Sequence, residues 1–195
     1  MLLDKEKLRS LARKCKLVIA ISGPPGSGKT TIAKGVAEFL GLRYTSSGKI
    51  FRDLAKEMGL SLIELNKLAL KKPDIDIEID NRAKLEAKKG HIVIDGHIAA
   101  WILKDLAHIK IYVTAPEEIR LRRISQRDNK PFNEVAKETR ERERIEKKRF
   151  NEIYGIDVGD LSIFDLVINN EGMGPEETIE LILHYIALRL RNLCT

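Results

Sequence analysis

The stretch Ile19-Ala-Ile-Ser-Gly23-Pro-Pro-Gly-Ser-Gly28-Lys29-Thr30-Thr31 decides the fold of this 195-residue chain. Leu17 to Ile21 form a short apolar run of the kind that a buried parallel strand needs. Ser22 to Gly28 contain too much Gly and Pro for a helix or a strand, and from Thr30 to Leu40 apolar residues recur at helical spacing. Strand, glycine-rich loop and helix in this order, with G-x-x-x-x-G-K-T across the loop, predict a phosphate-binding loop.

Each residue type in this loop has a physical reason. Glycines let backbone N–H groups converge on an anion, and the start of the helix directs its positive dipole end at the same place. Lys29 is expected to reach the β- and γ-phosphates of a nucleoside triphosphate, and the Thr30 hydroxyl is expected to ligate Mg²⁺. Replacing Lys29 by Ala should abolish activity and leave the fold intact.

Composition predicts a single α/β domain over residues 17–195, preceded by a basic amphipathic extension over residues 1–16 that holds six Lys/Arg. The chain contains no run of eighteen apolar residues and no signal-peptide core, so we expect a cytoplasmic protein without a membrane partner. Cys15 and Cys194 lack the spacing of a zinc site, and their usage fits a reducing cytosol.

Four further strands are expected, at residues 42–44, 91–95, 109–113 and 165–169, and a closing helix from Pro175 to Leu193. Strands alternate with helices, which predicts a three-layer α/β/α fold around a five-stranded, mostly parallel sheet. A turn is expected at residues 45–48. Residues 48–90 are helical and far longer than a simple connection, as expected of an insertion that covers a second ligand.

Residues 117–149 carry twelve Lys/Arg and eight Asp/Glu, in two helical segments on either side of a break at residues 128–131. The first segment presents Arg120, Arg123 and Arg127 on one face, and the second presents Arg142, Glu146 and Arg149. An exposed helix laced with ion pairs is the alternative. Beside a phosphate-binding loop the arrangement favours an arginine-rich lid, at about residues 120–150, that closes on a polyphosphate.

Asp95 ends an apolar strand, at the edge of the sheet where ligands of such folds bind. It could hold a Mg²⁺-bound water or contact the hydroxyl of an acceptor. The alternative is a turn residue, because Asp95 is followed by Gly96.

These motifs occur in an order that resembles nucleoside monophosphate kinases. They are the phosphate-binding loop, Thr45-Ser-Ser-Gly-Lys-Ile-Phe-Arg52, Ile94-Asp95-Gly96, the segment from Lys110 to Arg123, and the arginine-rich lid. The chain is most similar to the short, archaeal-type cytidylate kinases, from about Leu17 to Leu183. The resemblance implies ATP as phosphoryl donor, Mg²⁺ as cofactor, and CMP or dCMP as acceptor.

The resemblance also implies roles for individual residues. Lys29, Arg123, Arg142 and Arg149 would act on the transferred phosphoryl group. ATP would be bound by Ser22, Gly23, Pro24, Pro25, Gly26, Ser27, Gly28, Lys29, Thr30, Thr31 and Arg120. The acceptor would be bound by Ser47, Arg52, Asp80, Asp95, His97 and Glu146, with Arg52 on its phosphate. Thr30 and Asp95 would hold the metal.

One departure from the family concerns the base of the acceptor. Where these kinases usually have Gly-Arg after the acid, this chain has Gly96-His97. Carboxylates accept well from the N4 amine of cytosine, so Asp80, Asp95 and Glu146 are candidate base contacts and His97 is a candidate substitute for the missing Arg. The Asp-Gly-Phe-Pro-Arg motif of adenylate kinases is absent.

The alternatives are a UMP or AMP kinase, a small-metabolite kinase of the shikimate or gluconate type, a GTPase-like switch and an RNA-binding module. The last two are disfavoured. Neither Asn-Lys pair is followed by the Asp of a guanine-reading loop, and aromatic residues make up only 5% of this basic chain. We therefore expect no nucleic-acid partner, and we expect a monomer.

Overall fold

The computed structural model describes residues 4–193. Its elements follow in the order α1 (Lys5–Lys14), β1 (Val18–Ser22), α2 (Lys29–Leu40), β2 (Arg43–Ser46), α3 (Ser47–Glu57), α4 (Leu62–Ala69), α5 (Asp74–Lys88), β3 (Ile92–Asp95), α6 (Ala99–Ile102), β4 (Ile109–Thr114), α7 (Glu117–Asp128), α8 (Phe132–Tyr154), β5 (Leu166–Asn169) and α9 (Pro175–Leu193).

The five strands form one sheet in the order β2-β3-β1-β4-β5, and every neighbouring pair is parallel. The predicted five-stranded, three-layer fold is therefore confirmed. Strand β1 lies in the centre, so the loop that follows it opens at the middle of the carboxyl edge. The register pairs Ile21 of β1 with Asp95 of β3, and Asp95 in turn with Ser46 of β2. The ends of these three strands thus meet beside the glycine-rich loop.

Alternating residues of β1 pack into two different cores. Ile19 and Ile21 join the larger core, which α1, α2 and α9 cover. Val18 and Ala20 face the opposite side, where α6 and the end of α5 pack. A strand buried on both faces reads as a continuous apolar run, which is why Leu17 to Ile21 contains no polar residue.

Two helical groups stand outside this sandwich. The insertion comprises α3, α4 and α5, which share a separate apolar core that includes Leu54, Leu65 and Ile79. The arginine helices are α7 and α8, which pack on each other through Leu121 and Val135, among others. Each group therefore has packing of its own beside the sheet.

The basic extension packs on the body of the protein. Leu8 and Ala12 of α1 are buried in the larger core. Arg9 donates from Nε to the carbonyl of Phe39 (2.9 Å) and from a terminal nitrogen to that of Glu38 (3.1 Å), at the end of α2. These carbonyls lie in the last turn of α2, where a helix leaves carbonyls without intrahelical partners.

Two local expectations were wrong. Residues 45–48 do not form a turn: β2 runs to Ser46, and α3 begins at Ser47 because the Ser46 side chain caps it by accepting from the backbone N–H of Lys49. Cys15, directly after α1, is disulfide-bonded, which differs from the expected usage in a reducing cytosol. Cys194 lies outside the described residues.

Among residues 4–193, no helix combines the length and apolar character needed to cross a membrane.

Candidate active site

The glycine-rich loop forms a cradle between β1 and the start of α2. Gly28 has a φ of 84°, in the left-handed region that favours glycine. A Cβ on Gly23 would lie 2.1 Å from the carbonyl oxygen of Val113, so only glycine fits there. The hydroxyl of Ser27 is buried in the loop without a hydrogen-bond partner among the described residues. A buried donor without a partner is costly, and a bound phosphate would satisfy it.

Lys29 lies at the first position of α2, and its ammonium donates to the carbonyl of Pro24 (3.2 Å). Burial lowers the pKa of Lys29 to about 8; Asp95 opposes this shift, and the positive charge of Arg142 adds to it. Lys29 is therefore a buried ammonium whose desolvation the neighbouring carboxylates offset only in part. An anionic phosphate would raise its pKa again.

Thr30, Asp95 and Tyr44 form a chain of hydrogen bonds beside Lys29. The Thr30 hydroxyl donates to one carboxylate oxygen of Asp95 (2.8 Å), and the phenol of Tyr44 donates to the other (2.5 Å). Asp95 is only 2% exposed. Burial and the bond to Asp95 raise the pKa of Tyr44 above its usual value, so the phenol stays protonated.

These residues fit a magnesium site. Thr30 and Asp95 supply hard oxygen atoms, and Mg²⁺ is normally held by one or two such protein groups together with waters and substrate phosphates. Among residues 4–193 there is no group of three or more His, Cys, Asp or Glu that could hold a metal by itself. The donor set therefore suits a metal that arrives with the nucleotide.

Arg120 of α7 reaches the other side of the loop. It donates to the carbonyl of Pro25 (2.9 Å) and pairs with Glu143 of α8 (2.6 Å). The backbone of Arg120 also approaches Gly26 so closely that a Cβ there would lie 2.5 Å from its carbonyl oxygen. The arginine helices are thus in direct contact with the phosphate-binding loop.

Arg123 lies against the segment after β5. It donates to the side-chain oxygen of Asn170 (2.9 Å), and the amide nitrogen of Asn170 donates to the carbonyl of Ser27 (3.0 Å). Asn170 is 3% exposed and links α7 to the phosphate-binding loop. In this structure Arg123 is therefore bound to protein groups at the back of the loop.

Arg142, Glu146 and His97 form a further group of contacting side chains. Arg142 donates to one oxygen of Glu146 (2.8 Å), and Nδ1 of His97 lies 2.8 Å from the other. Burial tends to raise the pKa of Glu146, but His97 and Arg142 outweigh it and lower the pKa to about 2. The ring of His97 also packs edge-on against Phe150, with centroids 5.4 Å apart.

Two carboxyl groups of α5 face the end of α8. Asp76 lies 3.5 Å from Nε of Arg149, and neither of these two atoms has a hydrogen-bond partner among the described residues. Tyr154 donates a hydrogen bond to Asp80. Burial raises the pKa of Asp80 to about 6, and the nearby charge of Asp76 adds to the shift while Tyr154 opposes it.

A cleft of about 1110 Å³ connects most of these groups. The residues that line it include Lys29, Thr30, Ser47, Arg52, Asp80, Asp95, His97, Arg142, Glu146, Arg149 and Tyr154. Ser47 packs so closely on Gly96 that a Cβ there would lie 2.3 Å from its hydroxyl. Arg120 and Arg123 are not part of this lining.

Sequence reasoning missed five residues of the site: Tyr44, Asp76, Glu143, Tyr154 and Asn170. Asp76 had a usable signal, because it lies one helical turn from the candidate Asp80. Tyr154 had none, because no candidate site residue lies one helical turn from it. Glu143 lies one turn from Lys147 in a helix with several other carboxylates, and its sequence position does not distinguish it from them. Tyr44 and Asn170 had none, because their partners become neighbours only through the order of the strands.

A parallel α/β sheet, a phosphate-binding loop at its centre, and arginine helices that contact the loop define a P-loop kinase. The model of the cytidylate kinase-like family matches residues 18–172. The chain belongs to this family.

Curated relatives agree over almost their whole length. The chain is 56% identical over 176 residues to a cytidylate kinase of Staphylothermus marinus, an alignment that covers 90% of this chain and 99% of that protein. It is 48% identical over 165 residues to a cytidylate kinase of Ignicoccus hospitalis, covering 85% and 96% respectively.

Solved structures resemble the fold at low identity. An uncharacterized protein from Eubacterium ventriosum superposes with a TM-score of 0.68 at 22% identity, covering 88% of this chain and 98% of the other. A shikimate kinase from Acinetobacter baumannii, in complex with shikimate, gives a TM-score of 0.57 at 18% identity and covers 88% and 93%. At these identities the likeness concerns the architecture.

Proposed function

We propose that this chain transfers the γ-phosphoryl group of ATP to CMP or dCMP in a Mg²⁺-dependent reaction, giving ADP and CDP or dCDP. One observation carries the proposal: in a chain of the cytidylate kinase-like family, Lys29 of the phosphate-binding loop lies within electrostatic range of Arg142 and Arg120 of the arginine helices. The identity to relatives named cytidylate kinase supports the choice of acceptor.

The chemistry needs little beyond positioning and positive charge. In phosphoryl transfer the charge spreads over the equatorial oxygens of the moving group, so cations on both sides lower the barrier. Lys29 would approach from the donor side, and Arg142 and Arg149 line the same cleft. Mg²⁺ held by Thr30, with Asp95 behind it, would neutralise charge on the donor phosphates. When the lid closes, Arg123 would release Asn170 and contact the transferred phosphoryl group as a further cation.

The acceptor would occupy the cleft between the insertion and α8. Arg52 is exposed and lines this cleft, where it would bind the acceptor phosphate. Arg142 and Glu146 would contact the nucleoside, and His97 would hold Glu146 in place through the 2.8 Å contact. His97 thus gives Glu146 a partner at the position where the family has an arginine.

The base would reach the carboxyl groups of α5. Cytosine presents an N4 amine donor, whereas uracil presents an O4 acceptor at the same position, so a carboxylate favours cytosine. Asp80 accepts a hydrogen bond from Tyr154, and both residues line the cleft together with Asp76. Asp95 is less suited to bind the base, because both of its carboxylate oxygens already accept hydrogen bonds from hydroxyls near the phosphate-binding loop.

The test is a coupled assay with MgATP across CMP, dCMP, UMP, AMP, GMP and shikimate. We expect turnover with CMP and dCMP to exceed that with the other acceptors by at least about tenfold, the discrimination that one good polar contact supplies. A tenfold preference for AMP would contradict the pyrimidine assignment. Turnover of shikimate alone would contradict nucleotide phosphorylation.

A variant tests the proposed base contact. Asp80→Asn should lower the CMP:UMP ratio of kcat/KM by about tenfold, because an amide offers a donor to O4 of uracil. Asp74→Asn is the matched control, since Asp74 is exposed on the first turn of the same helix. An unchanged ratio in Asp80→Asn would remove Asp80 from the base site.

A cytoplasmic location and a monomeric state belong to the same proposal. Both remain predictions, and gel filtration with light scattering would test the second.

A further inference from the structure

Tyr44 reaches the phosphate-binding loop from the edge of the sheet. It lies on β2, an edge strand, and pairs with Val93 of β3. Its side chain runs toward the carboxyl edge, and its phenol lies 2.5 Å from Asp95 at the end of β3. A residue of an edge strand thereby contacts a group beside α2.

The direction of both hydrogen bonds on Asp95 follows from chemistry. An ionised carboxylate can only accept, so the hydroxyls of Tyr44 and Thr30 must both donate to it. Donation to an ionised acceptor makes such bonds short and strong. Because the Thr30 hydroxyl donates its proton in a hydrogen bond to Asp95, its lone pairs stay free for another partner.

The same bonds fix the rotation of the carboxylate. Asp95 is 2% exposed, and each oxygen has one hydroxyl, at 2.8 Å from Thr30 and at 2.5 Å from Tyr44. Without the phenol, one buried carboxylate oxygen would lose this partner, which favours rotation toward water or other donors. Rotation would lengthen the bond to Thr30 and release its hydroxyl.

We propose that Tyr44 is a positioning residue of the nucleotide site: it holds Asp95, and Asp95 orients the Thr30 hydroxyl so that its lone pairs can serve a metal ion bound with ATP. The inference rests on the proposed function in requiring MgATP as donor, but not on the identity of the acceptor. Tyr44 lines the cleft, and the role proposed for it runs through Asp95.

The experiment measures nucleotide affinity without an acceptor. Calorimetric titrations with MgATP, and with ATP in the presence of EDTA, compare the unmodified protein with Tyr44→Phe. We expect Tyr44→Phe to weaken MgATP binding by about three- to tenfold, because only part of the free energy of the lost hydrogen bond to Asp95 reaches the nucleotide. Binding of metal-free ATP should change by less than about twofold. An equal loss for both forms of ATP, or no loss for either, would overturn the inference.

Tyr185→Phe is the matched control. It removes one phenolic hydroxyl on α9, which accepts from Arg189 (2.9 Å) and lies outside the cleft lining. We expect its affinities for both forms of ATP to equal those of the unmodified protein. This control separates the loss of a structural hydroxyl from the loss of the Tyr44 contact.

A double-mutant cycle tests the route of the effect. If Tyr44 acts through Asp95, Tyr44→Phe should have no further effect on MgATP affinity in an Asp95→Asn background. Additive losses would mean that Tyr44 acts on the nucleotide by another route and would overturn the inference. If the unmodified protein does not bind MgATP, the proposed function falls and the inference with it; if it binds MgATP but does not phosphorylate CMP, only the proposed function falls.

Discussion

At the scale of single residues, Lys29 illustrates the tension between folding and function. The site is built to receive an anion, so before the nucleotide binds it holds an ammonium close to Arg142 and Arg120. Burial lowers the pKa of Lys29 to about 8, which means that keeping its charge at neutral pH costs folding free energy. A group with a lowered pKa in the folded state binds more protons in the unfolded state, so stability rises with pH between about 8 and the ordinary lysine value of about 10.4.

Replacing Lys29 by Met tests this account. We expect Lys29→Met to lose phosphoryl transfer by at least about 10³-fold, because the cation on the moving group is gone. Without nucleotide, it should melt about 4–8 °C higher than the unmodified protein at pH 7, as about 2 kcal/mol of charge burial is relieved, and the difference should shrink at pH 9.5.

Differential scanning calorimetry at both pH values measures the effect, with Lys137→Met as the control for an exposed lysine on α8. A melting temperature for Lys29→Met below that of the unmodified protein at pH 7 would contradict the inference that the buried charge of Lys29 destabilises the fold.

At the scale of secondary-structure elements, α1 supports the helix that carries the phosphate-binding loop. Arg9 donates to the carbonyls of Phe39 and Glu38 in the last turn of α2, where a positive charge also complements the helix dipole. Helix α1 of the extension is therefore a part of the folded body. Packing of Leu8 and Ala12 on the larger core has the same consequence.

Arg9→Ala should destabilise the protein by about 1–2 kcal/mol, a fall in melting temperature of about 2–8 °C, with KM values for both nucleotides unchanged. Lys7→Ala is the matched control, because Lys7 is exposed on the same helix. Hydrogen exchange should be faster at the end of α2 in Arg9→Ala alone. Equal melting temperatures for the two variants would mean that the bonds from Arg9 contribute nothing.

The elements differ in how far sequence could predict them. The strand, glycine-rich loop and helix of the opening motif, the five strands, and the break between α7 and α8 were predicted correctly, because each has a local pattern. The start of α3 was missed because the cap at Ser46 resembles a turn. The short helix α6 has only four residues, too few to show a period. In the site, Lys29, Asp95 and Glu146 carried motif signals, whereas the partnership of Tyr44 with Asp95 depends on strand order.

At the scale of the whole molecule, the cleft is lined both by the arginine helices and by the insertion, and both of these walls expose apolar side chains. Ile145 of α8 is 39% exposed, and Leu62 and Leu70 at the insertion are 44% and 63% exposed. All three line the same cleft. Exposed apolar groups on facing walls favour an approach of the walls, which would bury them and keep water from the transferred phosphoryl group. We therefore expect the arginine helices and the insertion to close when both nucleotides are bound.

Ile145→Ser should weaken this closure without altering the donor site. A bisubstrate analogue that joins adenosine and cytidine through a polyphosphate requires both walls, whereas ATP alone contacts the phosphate-binding loop. We expect Ile145→Ser to bind the analogue about five- to tenfold more weakly, because burial of an isoleucine side chain contributes about 1–1.5 kcal/mol when incomplete, and to bind ATP as the unmodified protein does. Leu181→Ser is the control: Leu181 is 45% exposed on α9, outside the cleft lining. If Ile145→Ser bound the analogue as tightly as Leu181→Ser, the apolar walls would have no part in closure, and the arginines alone would have to draw the two sides together.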